Sequence, residues 1–218
     1  MKLLMDSKLN SLISYCLLLN MGLFLISCEQ SQNDSCIIHF KSARNKLNSY
    51  YKTKDSFLLL LALNDAQHSL QCDKTKRGAI EIKLSVFALL KQYENGYKYV
   101  DSLSESDFAL TYKKQMLYNY FLALHYESKE DSVTRNKYFH TIITGIDEYL
   151  RKQNSPKKEI NQEAYLDLFS AKSKVVSAQK IKLEIDSLKE KYPQSKDFFE
   201  TLRQTVNSDS TIVSATPR

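Results

Sequence analysis

Side chains that could act as nucleophiles, bases or metal ligands are scattered singly along this chain. No serine is flanked by glycines and no cysteine stands beside a basic dyad, so no activated nucleophile is indicated. The carboxylate pairs Glu105/Asp107 and Glu130/Asp131 fall in polar segments, where acids usually cap helices. The four histidines are not grouped with one another, which argues against a zinc site; they are His39, His68, His125 and His140. We therefore predict no catalytic residues, no metal site and no enzymatic activity.

Glycine is too sparse for nucleotide chemistry. Only Gly78, Gly96 and Gly145 follow residue 28, and they do not cluster into a phosphate-binding loop. The sequence therefore predicts no cofactor.

Cys28 is the residue with the clearest chemical role. The lysines at positions 2 and 8 precede an apolar run over Leu12–Ile26, and the small Ser27 stands directly before the cysteine. This order of basic, apolar and small residues resembles a bacterial lipoprotein signal peptide. The resemblance implies cleavage after residues 1–27 and acylation of both the thiol and the new amine of Cys28. The alternative, an uncleaved membrane-spanning helix, is disfavoured because roughly 15 apolar residues fall short of the ~20 that a bilayer needs.

The predicted location follows from the anchor and the charge. Removal of residues 1–27 would take away two lysines and one aspartate, lowering the formal net charge from +6 to +5. Such a mild, interleaved charge indicates a solvated surface, and we expect no nucleic-acid partner. Glu29 and Gln30 do not resemble a strong inner-membrane retention signal, which favours the outer membrane. The side of the membrane is left open.

Cys36 and Cys72 are the two cysteines left in the oxidising compartment that export implies. The segment between them predicts two helices joined by the polar turn Lys52–Asp55, and both cysteines lie 18 residues from Lys54. Positions equidistant from the turn are neighbours in an antiparallel hairpin, so we predict a disulfide across its open end. The alternative is two unpaired, partly buried thiols.

Helices are predicted throughout residues 35–207, in one all-α domain between a flexible tether (28–34) and a disordered tail (208–218). The chain has four glycines, three prolines and no tryptophan. Apolar residues recur every three or four positions. We expect the run Phe57–Leu63 to be covered on more than one face, Lys74–Gly78 to reverse the chain, and Asn95-Gly96 to end the third helix. Asp107 is predicted to cap a fifth helix over 108–127.

The helix pairs, spaced by roughly 35–45 residues, resemble degenerate tetratricopeptide repeats. Leu122-Ala123-x-x-Tyr126 matches the large, small and tyrosine pattern of a first repeat helix. Leu89-Leu90-x-x-Tyr93, followed by Asn95-Gly96-Tyr97, matches except that Leu90 replaces a small residue. The stretch Leu188–Ser195 is similar to repeat ends of envelope lipoproteins. The resemblance implies an α-solenoid of stacked hairpins over residues 55–207, with an irregular helical bundle as the alternative.

A solenoid groove would make this protein a binding module. Tyr93 and Tyr118 lie on predicted first helices, so the resemblance implies that they line the concave surface. We predict a lipid-anchored scaffold or adaptor that binds a protein or peptide in the cell envelope. The alternative is an immunity-type lipoprotein that neutralises a secreted antibacterial toxin. A membrane-anchored degradative enzyme is disfavoured by the missing catalytic groups.

Overall fold

The computed structural model describes residues 34–153 and 160–206. The predicted signal peptide, Cys28, the tether up to residue 33 and the tail over 208–218 lie outside the described residues. The same is true of the predicted loop Asn154–Lys158. These predictions therefore stay predictions.

The described residues are helical and contain no β-strand, which confirms the predicted all-α class. The first helix, α1, covers residues 34–53. Eight further α-helices follow: α2 (Phe57–Ser69), α3 (Asp73–Leu89), α4 (Tyr93–Ser102), α5 (Lys113–Glu127), α6 (Ser132–Gln153), α7 (Gln162–Lys172), α8 (Ala178–Lys191) and α9 (Lys196–Thr205). Contacts join α2 to α3, α4 to α5, α5 to α6, α6 to α7 and α8 to α9. No helix within the described ranges is both long and apolar enough to cross a bilayer.

Contacts divide the chain into two compact units, one ending at Leu90 and one beginning at Lys91. The N-terminal unit contains α1, α2 and α3, whose small and branched residues form its core. That core is Ala43, Leu47, Leu59, Ala62, Ala66, Ile82 and Val86. In the C-terminal unit, helices α5 to α9 contribute to a larger core that includes Phe139, Ile142, Ile146, Leu168, Phe169, Ile181, Ile185, Tyr192 and Phe199.

The expected burial of α2 on several faces is wrong. Phe57 is 61% exposed and Leu60 is 50% exposed, whereas Leu59 and Ala62 are buried. Helical spacing explains the difference, because α2 turns only one stripe of its apolar run toward α1 and α3. The opposite side of the helix stays in solvent.

Two predicted chain reversals lie elsewhere. Lys74–Gly78 belongs to α3, and the chain reverses just before it, at residues 70–72. Asn95 and Gly96 lie inside α4, because α3 ends at Leu89 and Lys91 adopts a left-handed φ of 57°. Gly96 does not cap a helix here. Its missing side chain lets the ring of Phe121 pack against the α4 backbone, in the space where a Cβ would be.

The start of the fifth helix is also corrected. Asp107 ends a single 3₁₀ turn over Glu105–Asp107, and its carboxylate accepts a hydrogen bond from the backbone N–H of Ser104. This reciprocal capping box provides acceptors for the backbone N–H groups at the start of the 3₁₀ turn. The helix α5 begins later, at Lys113.

Candidate functional site

Five aromatic rings form a continuous cluster in the C-terminal unit, which we call the aromatic cluster. Its members are Tyr97 on α4, Tyr118, His125 and Tyr126 on α5, and Tyr138 on α6. The ring centroid of Tyr97 lies 6.1 Å from that of Tyr118 and 5.9 Å from that of His125, both edge to face. Tyr126 stacks on Tyr138 at 5.6 Å and meets His125 at 5.5 Å. Three helices thus fix the relative positions of these rings.

The tyrosines of the aromatic cluster keep their polar ends unused. All four are partly exposed, and their hydroxyls make no hydrogen bond to any residue that the structure describes. Core tyrosines behave differently: the Tyr112 hydroxyl donates to Asp167 at 2.6 Å, and the Tyr149 hydroxyl accepts from Asn161 at 3.1 Å. The aromatic cluster therefore offers apolar rings together with free donors and acceptors.

Two ion pairs join charged side chains on the helices of the aromatic cluster. Glu94 and Lys98 form an ion pair at 2.7 Å on α4, and Arg135 contacts Glu127 at 3.2 Å. The ammonium of Lys129 lies 5.8 Å from the centre of the Tyr126 ring. Burial, then the neighbouring tyrosines, raise the pKa of Tyr138, so its phenol is neutral at physiological pH. The cluster therefore combines neutral phenol rings with a few nearby charged side chains.

The two predicted groove tyrosines have different positions. Tyr118 is a member of the aromatic cluster, in edge contact with Tyr97. Tyr93 is the first residue of α4 and makes no ring contact with the cluster within the described chain. Burial, then the Glu127 carboxylate, raise the pKa of Tyr93. The structure thus places Tyr118, but not Tyr93, among the clustered rings.

A cleft of about 480 Å³ opens between α6, α7 and α8 of the C-terminal unit. Leucines and tyrosines line its floor: Leu150, Tyr165, Leu168, Leu188 and Tyr192. Polar and charged side chains surround them: Thr144, Asp147, Arg151, Glu184 and Lys191. This combination of apolar floor and polar wall is typical of ligand pockets.

The acids of the cleft have an internal partner. The buried Lys172 ammonium lies 2.5 Å from Glu184 and 4.0 Å from Asp147. Burial raises the pKa of Asp147 above its ordinary value, while Lys172 acts in the opposite direction. Lys172 therefore offsets one of the two negative charges of the cleft without help from a ligand.

The N-terminal unit contains the disulfide that the sequence predicts. Cys36 and Cys72 are bonded, with Cα atoms 6.2 Å apart. Nearby, the buried Asp65 carboxylate accepts hydrogen bonds from Lys46 at 2.5 Å and from His39 at 3.1 Å. The His39 ring also stacks on His68 at 4.8 Å. These contacts hold the open end of the α1–α2 hairpin together.

A metal site is not formed by the described residues, which contain no group of three or more His, Cys, Asp or Glu side chains placed to hold an ion. His39 and His68 do meet, although 28 intervening residues hide their proximity in the sequence. The sequence did not predict the cleft between α6, α7 and α8 either. Its one local signal is the spacing of Asp147 and Arg151 four residues apart, which ordinary surface helices share.

No protein-family profile, curated protein or solved structure matches this chain. The two repeat-like segments lie in different structural contexts. Leu122-Ala123-x-x-Tyr126 lies wholly within α5, as a first repeat helix would require. Leu89 and Leu90, in contrast, lie where α3 ends, and Tyr93 begins the next helix. Only the first of these two segments has the helical context that the tetratricopeptide pattern needs.

Proposed function

We propose that this protein is a lipid-anchored scaffold of the bacterial cell envelope, which binds a protein or peptide partner through the aromatic cluster. The observation that carries the proposal is the set of four partly exposed tyrosines with unused hydroxyls. The tetratricopeptide-like character of the helices remains part of this proposal.

The physical basis is the suitability of tyrosine for protein recognition. Tyrosine buries a large ring at low entropic cost, because it has few rotatable bonds, and its hydroxyl can still find a partner. Interface hot spots are enriched in tyrosine for this reason. Here ring-to-ring contacts between α4, α5 and α6 already fix the side chains, so binding would order them little further.

The anchor rests on the sequence before residue 34. The basic, apolar and small residues that lead to Cys28 support acylation of that cysteine. Two or more acyl chains give stable membrane attachment, whereas a single chain gives only marginal binding. Incorporation of a labelled fatty acid tests this part: wild-type protein should be labelled and Cys28→Ala should not. Equal labelling of both would refute the anchor.

Partner binding is tested by affinity capture from detergent-solubilised envelopes, with retained proteins identified by mass spectrometry. The baits are tagged wild type, the double variant Tyr118→Ala/Tyr126→Ala, and the control Tyr50→Ala. Tyr50 is also a partly buried tyrosine in contact with another ring, but it lies in the N-terminal unit. Circular dichroism of all three proteins checks that they are folded.

The proposal expects a protein retained by wild type and Tyr50→Ala and depleted at least tenfold with the double variant. Recovery of envelope assembly or transport components would indicate an adaptor, whereas a single secreted toxin would indicate the immunity alternative. Equal retention of every protein by all three baits would contradict a role for the aromatic cluster.

A further inference from the structure

The cleft between α6, α7 and α8 has an uneven distribution of charge. Its acids, Asp147 and Glu184, are both within 4.0 Å of the buried Lys172 ammonium. Its cations are held less closely: burial raises the pKa of Asp147 and the charge of Arg151 acts to lower it, but without a contact within ion-pair distance. The side chains of Arg151 and Lys191 form no ion pair and no hydrogen bond within the described chain, and the Lys191 ammonium lies 5.2 Å from the centre of the Tyr192 ring. With Lys172 included, three cations accompany two acids, so the cleft has one positive charge in excess beside its apolar floor.

The position of the two cations relates them to that floor. Arg151 follows Leu150 directly at the end of α6, and Lys191 lies one turn after Leu188 at the end of α8. A ligand that places an aliphatic group on the leucines can thus bring an adjacent anionic group to the guanidinium and the ammonium. Arginine and lysine both bind carboxylates through charge-assisted hydrogen bonds.

The remaining wall favours a peptide over an acyl chain. Thr144, Asp147 and Glu184 present oxygen atoms along the same cleft. Peptide N–H groups can donate hydrogen bonds to these oxygens. An acyl chain would instead remove them from water without giving them a donor, which costs free energy.

We infer that this cleft is a second binding site, which takes an acidic and aliphatic segment of a protein partner. An aliphatic side chain of the segment lies on Leu150, Leu168 and Leu188, and its neighbouring carboxylate pairs with Arg151 and Lys191. The inference rests on the proposed function, because it takes from it that the ligand is a segment of a protein. It concerns other residues than the aromatic cluster.

The experiment is an NMR titration of the folded full-length chain without its signal peptide, using blocked pentapeptides. The probe is acetyl-Ala-Leu-Glu-Leu-Ala-amide, whose ends carry no charge. The matched peptide replaces Glu by Gln, a third replaces both Leu by Ala, and sodium dodecanoate tests the acyl alternative. The protein variants are Arg151→Gln, Lys191→Gln and the control Lys152→Gln, which removes the same charge from an exposed neighbour outside the cleft.

If binding is specific, the acidic peptide shifts NMR signals of cleft residues. The Gln peptide and the Ala peptide should each bind at least fivefold more weakly than the acidic peptide. Arg151→Gln and Lys191→Gln should each weaken the acidic peptide at least fivefold, whereas Lys152→Gln should change its Kd less than twofold. Equal binding of the Glu and Gln peptides, no binding of any peptide, or binding of dodecanoate alone would overturn the inference. None of these readouts involves Tyr118 or Tyr126, so failure here is distinct from failure of the capture experiment.

Discussion

Gly96 of α4 lies directly against the ring of Phe121 of α5: a Cβ atom at Gly96 would be 2.2 Å from Cδ1 of that ring. Phe121 is 1% exposed, so its ring can move only by displacing the residues packed around it. We predict that Gly96→Ala lowers the free energy of unfolding by about 1–3 kcal/mol, although alanine is the better helix former.

Gly145 of α6 provides the matched control. A Cβ there would meet nothing within 4 Å, so Gly145→Ala should gain the ordinary helix propensity of about 0.5–1 kcal/mol. Urea unfolding followed by circular dichroism compares both variants with wild type. If Gly96→Ala were as stable as Gly145→Ala, α4 and α5 could not be packed as described.

The disulfide predicts a redox-dependent stability of the N-terminal unit. Cys36 and Cys72 are 36 residues apart, and closing a loop of this size stabilises a fold by about 3–4 kcal/mol through the entropy of the unfolded chain. Hydrogen exchange of α1, α2 and α3 should therefore accelerate in the double variant Cys36→Ser/Cys72→Ser. A reducing agent should accelerate exchange in wild type but leave the double variant unchanged. Insensitivity of wild type to reduction would contradict this.

Asp65 predicts a pH dependence of the same unit. Burial alone would raise the pKa of this carboxyl, but the hydrogen bonds from Lys46, Ser42 and His39 together lower it below its ordinary value of 3.8. Because the folded-state pKa is lowered, the stabilisation is complete well above pH 3.8 and is lost as the pH falls through the lower folded-state pKa.

The measurement compares Asp65→Asn with wild type at several pH values. At pH 7 the variant should be less stable by about 1.5–3 kcal/mol, the range for hydrogen bonds to charged groups. The difference in Tm should shrink as the pH falls below 3.8. A difference that stays constant from pH 7 to pH 2 would show that the charge of Asp65 is not responsible.

Asp167 joins two elements of the C-terminal unit. It accepts a hydrogen bond from the buried Tyr112 hydroxyl at 2.6 Å and pairs with Lys113 at 2.5 Å. Asp167→Ala leaves the buried Tyr112 hydroxyl without its partner and leaves Lys113 with Glu163 alone. We therefore predict a loss of about 2–3 kcal/mol, against about 1 kcal/mol for Tyr112→Phe. Glu163→Ala is the control, because that carboxylate pairs with Lys113 at the exposed rim and should contribute less than about 1 kcal/mol. Chemical denaturation gives the order of the three variants, and equal losses would contradict it.

Local patterns predicted the all-α class and the cysteine pair. Helix periodicity is a property of neighbouring residues, and the partner of Cys36 follows from its distance to the turn near Lys54. The sequence predicted the end of the third helix at Asn95-Gly96, whereas α3 ends at Leu89. The non-glycine Lys91 adopts the left-handed conformation there, while the nearby Asn95-Gly96 has the composition of a cap but lies within α4.

The candidate sites depend on contacts that no local pattern contains. The aromatic cluster unites Tyr97, Tyr118 and Tyr138 from three helices, and the cleft needs α6, α7 and α8 in their packed arrangement. The sequence predicted that Tyr118 and Tyr93 line a binding groove. Tyr118 belongs to the aromatic cluster, but Tyr93 makes no ring contact with it. Which tyrosines meet depends on the tertiary packing of the C-terminal unit.

The bond between Cys36 and Cys72 also has a mechanical consequence. Tension applied to the chain before residue 36 enters the fold at the third residue of α1 and passes through a covalent bond to the start of α3. The helix α1 cannot be peeled away turn by turn from its N-terminal end, because that end is fastened to another helix. Under load, the loop from Cys36 to Cys72 stays closed until the sulfur–sulfur bond is reduced, so chemical reduction should set how far this unit can be extended.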